Sequence, residues 1–382
     1  MPIKEKNKMR ILYLCTFYHI AMLYNQQKTA LKKRKHSVTV FNSTKIGSGV
    51  AEKFVPVVQD KDVVHVECWN DVDRILFFPR QWKIEKQLLK AYKLDEYDLM
   101  HAHLLVSSGY TARRMKRKYG LKYVLSVRAT DLTGFIRLPF FRRMAIKNAE
   151  EAEGLLFLSR CHKEEFMNKY VPENKRKAFE NKSVIIGNPL EKFWEEHTAI
   201  VHKSIDKSNI RVLLIGRINP VKNIPAAAEA VKILRDRGMN VTLTVVGEVE
   251  DKEEENKLRS YDFIKILPFM TQEKLIDVYK NHDVFLLPSR VETFGRVYVE
   301  AMSQGLPVLY SKGQGFDKAY PDGEIGYAVP CSDSGYIADR IIDIVNDYER
   351  ISDNCIKHAS DFYEDNIIDK IEQFYSRSDN TI

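Results

Sequence analysis

Short apolar runs alternate with amphipathic stretches along almost the whole chain, and this alternation restricts the possible folds more than any other feature. Stretches such as IPAAAEAVKILRDRG and TQEKLIDVYKNH have helical spacing, and the runs between such stretches have the length of buried strands. A strand joined to the next one through a helix runs parallel to it, so helices cover both faces of the sheet. The pattern therefore predicts an α/β chain with parallel sheets. The strand-like runs are MRILYLCTF, HSVTVFNS, YDLMHAHLL, KYVLSVRAT, GLLFLSR, IRVLLIGRI, NVTLTVVGE, FIKILPF, HDVFLLPS and LPVLYS.

The alternation falls into two series, separated by a polar stretch without clear periodicity at residues 189–209. A length of 382 residues fits two domains, since domains usually have about 100–200 residues each. Two series predict two Rossmann-like, doubly wound domains rather than one barrel. We expect the first domain at residues 1–195 and the second at residues 196–362.

The charge is distributed unequally between the two halves. Residues 1–200 contain 37 Lys and Arg against 22 Asp and Glu, a net charge of +15, whereas residues 201–382 contain 23 against 30 and carry −7. The basic clusters KKRK (32–35) and RRMKRK (113–118) both lie in the first half. Such clusters suit anionic lipid, a phosphorylated acceptor or nucleic acid, or they form an ordinary solvated face.

Cysteine usage and hydropathy exclude several classes of protein. The five cysteines are scattered and form no CxxC pair, which argues against a disulfide framework or a zinc site and is typical of a reducing cytoplasm. No apolar run approaches the roughly 18–20 residues that span a bilayer.

One segment of the first half, GFIRLPFFRRMAIKNA (134–149), interleaves aromatic and aliphatic residues with four cations. This composition suits the interface of an anionic membrane. A core helix with snorkelling basic side chains is the alternative.

A glycine and two cations follow the first strand of the second series. The strand ends at Gly216, and Arg217 and Lys222 precede a helix that Asn223 is able to cap and that has Pro225 in its first turn. Ligands of doubly wound domains bind beyond the carboxyl ends of strands. Two cations beside a positive helix end are suited to hold a diphosphate, although two surface charges in a loop remain the alternative.

The segment Glu292-Thr293-Phe294-Gly295 connects a strand to a helix. The backbone amides of its last three residues lie at the helix start and predict a second anion cradle. Glu292 repels phosphate, so we expect it to face a neutral, hydroxyl-rich group such as a sugar. Glu300, two turns further on, is suited to accept hydrogen bonds from a ribose diol, unless both acids are simply solvated helix residues.

These segments resemble a known family. Glu292-TFGRVYV-Glu300 followed by AMSQGLPV resembles the E-x7-E signature of the retaining glycosyltransferase family 4, which has the GT-B fold, and GRINPVKN resembles its GR…K diphosphate segment. VVGE, FIKILPF and DFYEDNIIDKIEQFY resemble further landmarks in order, and DLMHAHLLVSSGYTA, VLSVRATDL and VIIGNP are looser matches. The resemblance covers nearly the whole chain and implies a hexosyltransferase (EC 2.4.1) of the bacterial envelope or exopolysaccharide type.

The resemblance also implies roles for individual residues. Arg217 and Lys222 would clamp the donor diphosphate, and Glu292 would hold the donor sugar. The second domain would bind the nucleotide sugar and the first the acceptor across a cleft, with a C-terminal helix at 363–382 returning to the first domain. No metal or other cofactor is implied, since cations and helix ends neutralise the leaving diphosphate. The implied donor-site residues are Gly216, Arg217, Lys222, Leu267, Pro268, Phe269, Glu292, Thr293, Phe294, Gly295 and Glu300, with 267–269 around the base and Glu300 at the ribose.

The chain departs from the family pattern in two places. Arg128-Ala129 stands where the family often has His-Gly, so Arg128 is expected to contact the donor sugar, an acidic sugar or an acceptor phosphate, or to pair with Asp131. The first strand continues into CTFYHIAMLYNQQ without the usual Gly-Gly loop, which should change the acceptor pocket.

Two further groups near strand ends are less specific. His101 and His103 are expected to pack or hydrogen-bond locally, and without a third ligand nearby they predict no metal site. The glycine turn Lys312–Gly315 is expected to line the donor pocket.

We therefore predict a retaining, metal-independent transfer of sugar from a nucleotide sugar, a UDP-sugar, to a glycan or lipid-linked acceptor. The expected location is the cytoplasm at the inner face of the cell membrane, with peripheral contact to anionic lipid and no nucleic-acid partner; the sequence does not specify the oligomeric state. A nucleotide-sugar epimerase on the same scaffold is one alternative. A non-enzymatic basic module that binds membrane or nucleic acid is another.

Overall fold

The computed structural model describes residues 8–19, 22–53, 59–200 and 203–377. The chain divides into two compact units. The N-terminal unit comprises residues 1–158, 162–186 and 368–382, and the C-terminal unit comprises residues 159–161 and 187–367. The change of unit after Ile186 comes earlier in the chain than position 195, because helix and loop residues after Ile186 pack within the second unit.

The N-terminal unit is built on a seven-stranded sheet with the order β3-β2-β1-β4-β5-β6-β7, and every pairing in it is parallel. Its strands are β1 (Arg10–Leu14), β2 (Ser37–Lys45), β3 (Val63–Trp69), β4 (Leu99–Ala102), β5 (Tyr123–Val127), β6 (Gly154–Phe157) and β7 (Ser183–Ile185).

Helices connect these strands. They are α1 (Met22–Lys33), α2 (Val50–Lys53), α3 (Asp71–Ile75), α4 (Phe77–Ala91), α5 (Ser107–Tyr119), α6 (Ala129–Thr133), α7 (Pro139–Glu151), α8 (Arg160–Lys169) and α9 (Glu173–Asn181), with 3-10 turns at Leu94–Glu96 and Phe135–Arg137. The strands β4, β5 and β6 are buried along their whole length because helices cover both faces of the sheet.

The C-terminal unit repeats this architecture with a six-stranded sheet in the order β10-β9-β8-β11-β12-β13, again with parallel pairings only. Its strands are β8 (Ile210–Ile215), β9 (Val241–Val246), β10 (Ile264–Leu267), β11 (Val284–Leu287), β12 (Val308–Ser311) and β13 (Gly326–Val329). Its helices are α10 (Lys192–Glu196), α11 (Ile224–Asp236), α12 (Lys252–Arg259), α13 (Gln272–Lys280), α14 (Arg296–Ser303), α15 (Ser334–Asn346) and α16 (Tyr348–Ala359), with a 3-10 turn at Ser360–Phe362.

The last helix, α17 (Glu364–Arg377), begins in the C-terminal unit, and its residues from Ile368 onward belong to the N-terminal unit. There the Tyr375 hydroxyl lies 3.1 Å from the Tyr13 hydroxyl and 2.7 Å from Nδ1 of His101. Residues 378–382 of the expected C-terminal helix lie outside the described residues.

Two parallel α/β sheets with the Rossmann strand order confirm the predicted fold class. Three strands, β3, β7 and β13, were not predicted from the sequence. β3 reads VVHVECW and carries polar side chains because it lies at the edge of its sheet, and the other two have only three and four residues. No helix in the described ranges combines the length and the apolar character that crossing a membrane requires.

Candidate functional site

The residues singled out in the second half of the sequence follow two strands that lie side by side. β8 pairs with β11 at the position where the strand order of the C-terminal sheet reverses. Loops that leave two such strands diverge, and the crevice between them is the usual ligand site of a doubly wound sheet. Arg217 and Lys222 follow β8, and Glu292 follows β11, so the fold brings both segments to one edge of the sheet.

Lys222 and Glu292 are in direct contact at this edge. Nζ of Lys222 donates to Oε2 of Glu292 over 2.8 Å, and the two side chains are only 19% and 14% exposed. The loops that carry them are also joined through the backbone, since the Arg290 amide donates to the Val221 carbonyl over 2.8 Å. A partly buried ion pair of this kind holds the lysine ammonium in a fixed position.

Asn223 joins the same two loops. Its side chain donates to the carbonyl oxygens of Pro288 (3.0 Å) and Cys331 (2.7 Å), and its backbone is left-handed, with φ +55°. The expectation that its side chain caps α11 is wrong, since the side-chain oxygen accepts no hydrogen bond from the first turn of the helix and the left-handed backbone differs from the extended conformation of a capping residue. Asn223 therefore fixes the loop after β8 to the end of β11.

Glycines allow the strand ends of β8 and β9 to approach closely. A Cβ on Gly247 would lie 2.0 Å from the carbonyl oxygen of Gly216, so no side chain fits at Gly247. Gly216 itself lies against the Lys222 side chain, whose Cγ, Cδ and Cε would be 3.5 Å from an added Cβ. The Lys222 side chain thus packs along the backbone of Gly216, and its ammonium bonds to Glu292.

The turn that contains Glu292 is supported by the glycine turn after β12. The Glu292 amide donates to Oε1 of Gln314 over 3.0 Å, and the Gly315 amide donates to the Glu292 carbonyl over 2.9 Å. A Cβ on Gly315 would lie 2.0 Å from the Thr293 carbonyl oxygen. The Thr293 amide donates to Oε1 of Glu292 over 3.1 Å, so this amide of the expected anion cradle is occupied by the carboxylate.

Phe294 and Gly295 contribute to this turn in different ways. The Phe294 ring is buried against Phe316 and Phe362, at centroid distances of 5.8 and 5.6 Å, so its side chain belongs to the core. Gly295 has φ +79°, and an added Cβ would lie 2.3 Å from the Tyr298 ring. Only the backbone groups of these two residues are positioned to bind a ligand.

Glu300 lies in α14, and its charged neighbours are Arg296 and Glu191. Burial, together with the nearby Glu191 carboxylate, raises the pKa of its carboxyl to about 7, although Arg296 and the Tyr279 hydroxyl lower this pKa. Arg296 in turn forms an ion pair with Glu191. The hydroxyl of Tyr279 is buried beside Glu300, and burial raises the pKa of this hydroxyl.

Arg217 pairs with a different acid from Lys222. Its side chain is 62% exposed, and Nη1 donates to Oε1 of Glu250 over 2.6 Å. The other carboxylate oxygen of Glu250 accepts from Nδ2 of Asn219 over 2.7 Å, and these two bonds lower the pKa of Glu250. Glu250 lies 33 residues from Arg217 and was not among the residues predicted from the sequence.

Leu267, Pro268 and Phe269 follow β10 at the edge of the C-terminal sheet. The Leu267 carbonyl accepts a hydrogen bond from the Gly247 amide over 3.1 Å. Pro268 is exposed, and the Phe269 ring is 76% exposed. An exposed aromatic ring beside a strand end is able to stack on a flat ligand group.

Arg128 follows β5 in the N-terminal unit and is buried. The guanidinium carbon lies 5.5 Å from the centroid of the Tyr24 ring, and Nε has no hydrogen-bond partner in the described part of the chain. The expected alternative, an ion pair with Asp131, does not form. The Asp131 carboxylate accepts instead from the backbone amides of Leu105 and Val106 and of Arg128 itself, at 3.0–3.4 Å.

His101 lies in β4 and His103 directly follows this strand, and their rings stack with centroids 4.0 Å apart. His101 is hydrogen-bonded to the Ser126 hydroxyl (2.8 Å) and to Tyr375, which agrees with local packing, whereas neither ring nitrogen of His103 has a partner among the described residues. Burial lowers the pKa of His101 to about 3, so the ring is neutral. Within the described ranges, no set of three or more His, Cys, Asp and Glu side chains is arranged to hold a metal ion.

A cavity of about 760 Å³ lies at the reversal point of the N-terminal sheet, beyond the ends of β1 and β4. Its walls are mostly apolar and include the aromatic residues Phe17, Trp69 and Phe135. Three fully buried polar side chains that line it, Ser43, Gln81 and Ser108, each have an atom without a hydrogen-bond partner in the described structure. These residues come from separate elements and form no sequence motif, so they were not predicted.

This pair of sheets and the site at the end of β8 and β11 define an α/β protein of the GT-B class, and the comparisons agree. Residues 26–178 match Glycosyltransferase Family 4, and residues 195–362 match Glycosyl transferases group 1. Together the two matched ranges cover most of the chain, and both models describe glycosyltransferase domains.

Individual relatives are distant. The chain is 28% identical to the capsular polysaccharide biosynthesis glycosyltransferase CapM of Staphylococcus aureus over 221 residues, which is 52% of this chain and 56% of CapM. It is 28% identical to D-inositol 3-phosphate glycosyltransferase 2 of Catenulispora acidiphila over 44% of this chain and 43% of that protein. The chain thus matches about half the length of these curated relatives.

Solved structures share the fold at low sequence identity. HepE of Anabaena, crystallised with UDP, superposes with a TM-score of 0.70 at 17% identity and covers 96% of this chain and 100% of its own. The lipopolysaccharide outer core galactosyltransferase WaaB gives a TM-score of 0.72 at 14% identity, over 96% of this chain and 99% of its own. These likenesses establish the fold.

Proposed function

We propose that this chain transfers a sugar from a nucleotide sugar, a UDP-sugar, to a glycan or lipid-linked acceptor with retention of anomeric configuration and without a metal ion. The proposed setting is cell-envelope or exopolysaccharide biosynthesis in the cytoplasm, at the inner face of the cell membrane. The match to CapM and the crystallisation of HepE with UDP support a donor and a pathway of this kind.

The observation that carries the proposal is the contact between Lys222 and Glu292 at the reversal point of the C-terminal sheet. An ammonium held there by a carboxylate is able to share its remaining hydrogens with a diphosphate. Glu292 keeps a second oxygen for the Thr293 amide and for sugar hydroxyls. One ion pair thereby serves both the leaving group and the transferred group of a nucleotide sugar.

Charge on the departing diphosphate grows during transfer, and fixed cations lower the energy of that state. In this proposal Lys222 is already in position, whereas Arg217 exchanges Glu250 for a phosphate oxygen when the donor binds. Glu300 accepts hydrogen bonds from the ribose, and Phe269 stacks on the base. The developing negative charge is balanced by side chains, so the reaction needs no divalent ion.

The acceptor is assigned to the N-terminal unit, because its cavity supplies aromatic walls and three polar atoms without a partner in the described structure, the Ser43 and Ser108 hydroxyls and Nε2 of Gln81. Such groups suit a saccharide or another hydroxyl-bearing molecule with an apolar part. Arg128, buried without a partner for its Nε, is proposed to contact a hydroxyl or an anionic group of a substrate.

The test is an assay of the purified chain with UDP-sugars and candidate acceptors in EDTA. We expect acceptor-dependent release of UDP that is lost in Glu292→Ala and Lys222→Ala and retained in Lys232→Ala, a lysine of α11 paired with Asp236 away from this edge. Conversion of the UDP-sugar without any acceptor would instead establish the epimerase, and a strict requirement for a divalent ion would contradict the proposed mechanism.

A further inference from the structure

Large apolar side chains are exposed on one part of the N-terminal unit. Seven of the fifteen exposed large hydrophobic residues in the described part of the chain come from two short segments, at 72–82 and 135–140. Ile75 is the most exposed of the seven, at 85%. The seven residues are Val72, Ile75, Leu76, Trp82, Phe135, Leu138 and Phe140. We call the surface that they form the apolar-basic surface.

Aromatic contacts join the two segments into one surface. Phe77, at the start of α4, lies 6.1 Å from Phe135 and 5.0 Å from Phe141 between ring centroids. Phe78 lies 5.9 Å from Phe140. The start of α4, the 3-10 turn and the start of α7 therefore present their exposed residues side by side.

The charge of these segments is mainly positive, and their one acid, Asp73, is paired with Lys83. No Asp or Glu occurs between Asp73 and Glu85 or between Asp131 and Glu150, whereas these intervals contain three and four Lys or Arg residues, respectively. Arg137, Arg143 and Lys147 are exposed and form no ion pair with any described residue. An apolar surface bordered by unpaired cations is complementary to an anionic bilayer.

The two basic clusters recognised in the sequence are different, because acids of the same unit neutralise much of their charge. In RRMKRK, Arg114 pairs with Glu85 (2.6 Å), Lys116 with Glu153 (2.7 Å) and Arg117 with Glu151 (2.5 Å). In KKRK, Lys32 pairs with Asp62 and Arg34 with Asp369 and Glu372. These two clusters therefore differ from Arg137, Arg143 and Lys147, whose charge no described acid neutralises.

We propose that the apolar-basic surface docks onto an anionic lipid bilayer, with Ile75, Leu138 and Phe140 among the residues that enter the interface. Aliphatic side chains make up most of the surface, which suits lipid better than the aromatic stacking that single-stranded nucleic acid requires. A second copy of the chain would bring like charges together. Cations at the surface then contribute about 1 kcal/mol each to the attraction for anionic lipid.

This docking refines the proposed function, on which its biological role rests. Arg80, Gln81 and Phe135 belong to the two segments and also line the cavity of the N-terminal unit. Docking through this surface would therefore bring this side of the cavity close to the bilayer. A lipid-linked acceptor would then reach the cavity without leaving the bilayer.

The experiment is co-flotation of the full chain with vesicles of neutral phosphatidylcholine or of phosphatidylcholine with about 30% phosphatidylglycerol. We expect binding to the anionic vesicles only, weakened when the salt concentration rises from about 0.1 M to about 0.5 M. The variant Ile75→Ser/Leu138→Ser/Phe140→Ser should lose most of this binding. The variant Arg137→Gln/Arg143→Gln/Lys147→Gln should lose it too.

A charge-matched control shows whether vesicle binding depends on the position of the cations or only on the net charge. Lys90→Gln/Lys93→Gln/Lys118→Gln removes the same number of exposed cations elsewhere on the unit and should bind vesicles like the wild type. Equal losses of vesicle binding in both charge variants would overturn the docking proposal, and so would a wild type that does not float with anionic vesicles. A dimer that is seen in sedimentation velocity and abolished in the serine variant would also overturn it. Stabilisation by UDP is measured in parallel, so a failure of donor binding is distinguished from a failure of docking.

Discussion

Lys222 and Glu292 are 70 residues apart in sequence, yet their side chains form a 2.8 Å ion pair where β8 and β11 lie side by side. Removing one partner leaves the other charge partly buried without compensation, which is more damaging than removing both. We predict that Lys222→Ala and Glu292→Ala each lower the free energy of unfolding, by up to about 3 kcal/mol. The double variant should be more stable than the sum of the two single effects predicts.

Urea unfolding of the four proteins measures this coupling as a double-mutant cycle. The pair Lys232→Ala and Asp236→Ala, an exposed ion pair within α11, provides the comparison. Additive effects of Lys222→Ala and Glu292→Ala would show that the contact contributes nothing to the folded state.

Arg217 is bonded to Glu250, and this bond competes with any anion for the guanidinium. We predict that Glu250→Ala strengthens UDP binding about two- to fivefold, as expected for loss of one exposed ion pair. Calorimetric titration measures this change. Glu253→Ala, which removes an exposed acid paired with Lys257 on the neighbouring helix, should leave the affinity unchanged.

The gain in UDP affinity should vanish in Arg217→Ala/Glu250→Ala, because this double variant lacks the guanidinium that Glu250→Ala releases. An equal gain in that double variant would mean that Glu250 acts on UDP by general repulsion and that Arg217 is not a diphosphate ligand.

Glu300 should make the stability of the folded protein depend on pH. Burial raises its pKa from 4.5 to about 7, so the folded state retains a proton that the unfolded state loses, and the free energy of unfolding falls as pH rises through this range. Glu300→Gln removes this cost. We predict that the variant is stabilised relative to the wild type more at pH 8 than at pH 5, by at most about 3 kcal/mol.

Differential scanning calorimetry at the two pH values tests this prediction, with Glu349→Gln on the exposed face of α16 as the control. A stability difference between Glu300→Gln and the wild type that is the same at both pH values would show that the carboxyl of Glu300 ionises as it does in water.

Two glycines of the site should differ sharply in their tolerance of a methyl group. At Gly315 an added Cβ would lie 2.0 Å from the Thr293 carbonyl oxygen, whereas at Gly216 it would only touch the Lys222 side chain at 3.5 Å. Gly315→Ala should therefore displace the Glu292 turn and lower the free energy of unfolding by about 1–3 kcal/mol. Gly216→Ala should cost less than about 1 kcal/mol. Thermal unfolding compares the two, and equal effects would contradict the close packing of the turns.

Arg128 is a buried cation whose Nε lacks a partner in the described structure. If Arg128 contacts a substrate, replacing it should lower the activity without lowering the stability of the fold. We predict that Arg128→Met keeps or raises the melting temperature and lowers the transfer rate at least about tenfold, the factor that corresponds to 1.4 kcal/mol. Arg128→Met with normal turnover, or with a large loss of stability, would assign this residue to the core instead.

The sequence predicted the two sheets well because central strands such as β11, which is buried throughout, and β8, which is apolar except for Arg211, read as short apolar runs. It indicated the segments at the Lys222–Glu292 edge because glycines and charged residues closely follow those strands. β3 escaped recognition since its edge position permits His65 and Glu67 within the strand.

Ion pairs between residues far apart in the chain could not be predicted from the sequence pattern. Nothing local indicates that Arg217 pairs with Glu250, or that Glu85, Glu151 and Glu153 neutralise the cluster at 113–118. Burial of Arg128 without Asp131 as its ion-pair partner also depends on how α5 and α6 place backbone amides around that acid. Such contacts arise only when the fold brings distant elements together.

The central claim is that the Lys222–Glu292 edge of the C-terminal sheet binds the diphosphate of a nucleotide sugar. Calorimetric titration of UDP in EDTA into the wild type, Lys222→Ala and the control Lys232→Ala tests it most directly. We predict that Lys222→Ala loses at least about tenfold in affinity, or 1.4 kcal/mol, while Lys232→Ala binds UDP like the wild type. Equal affinity of Lys222→Ala and the wild type would contradict the claim.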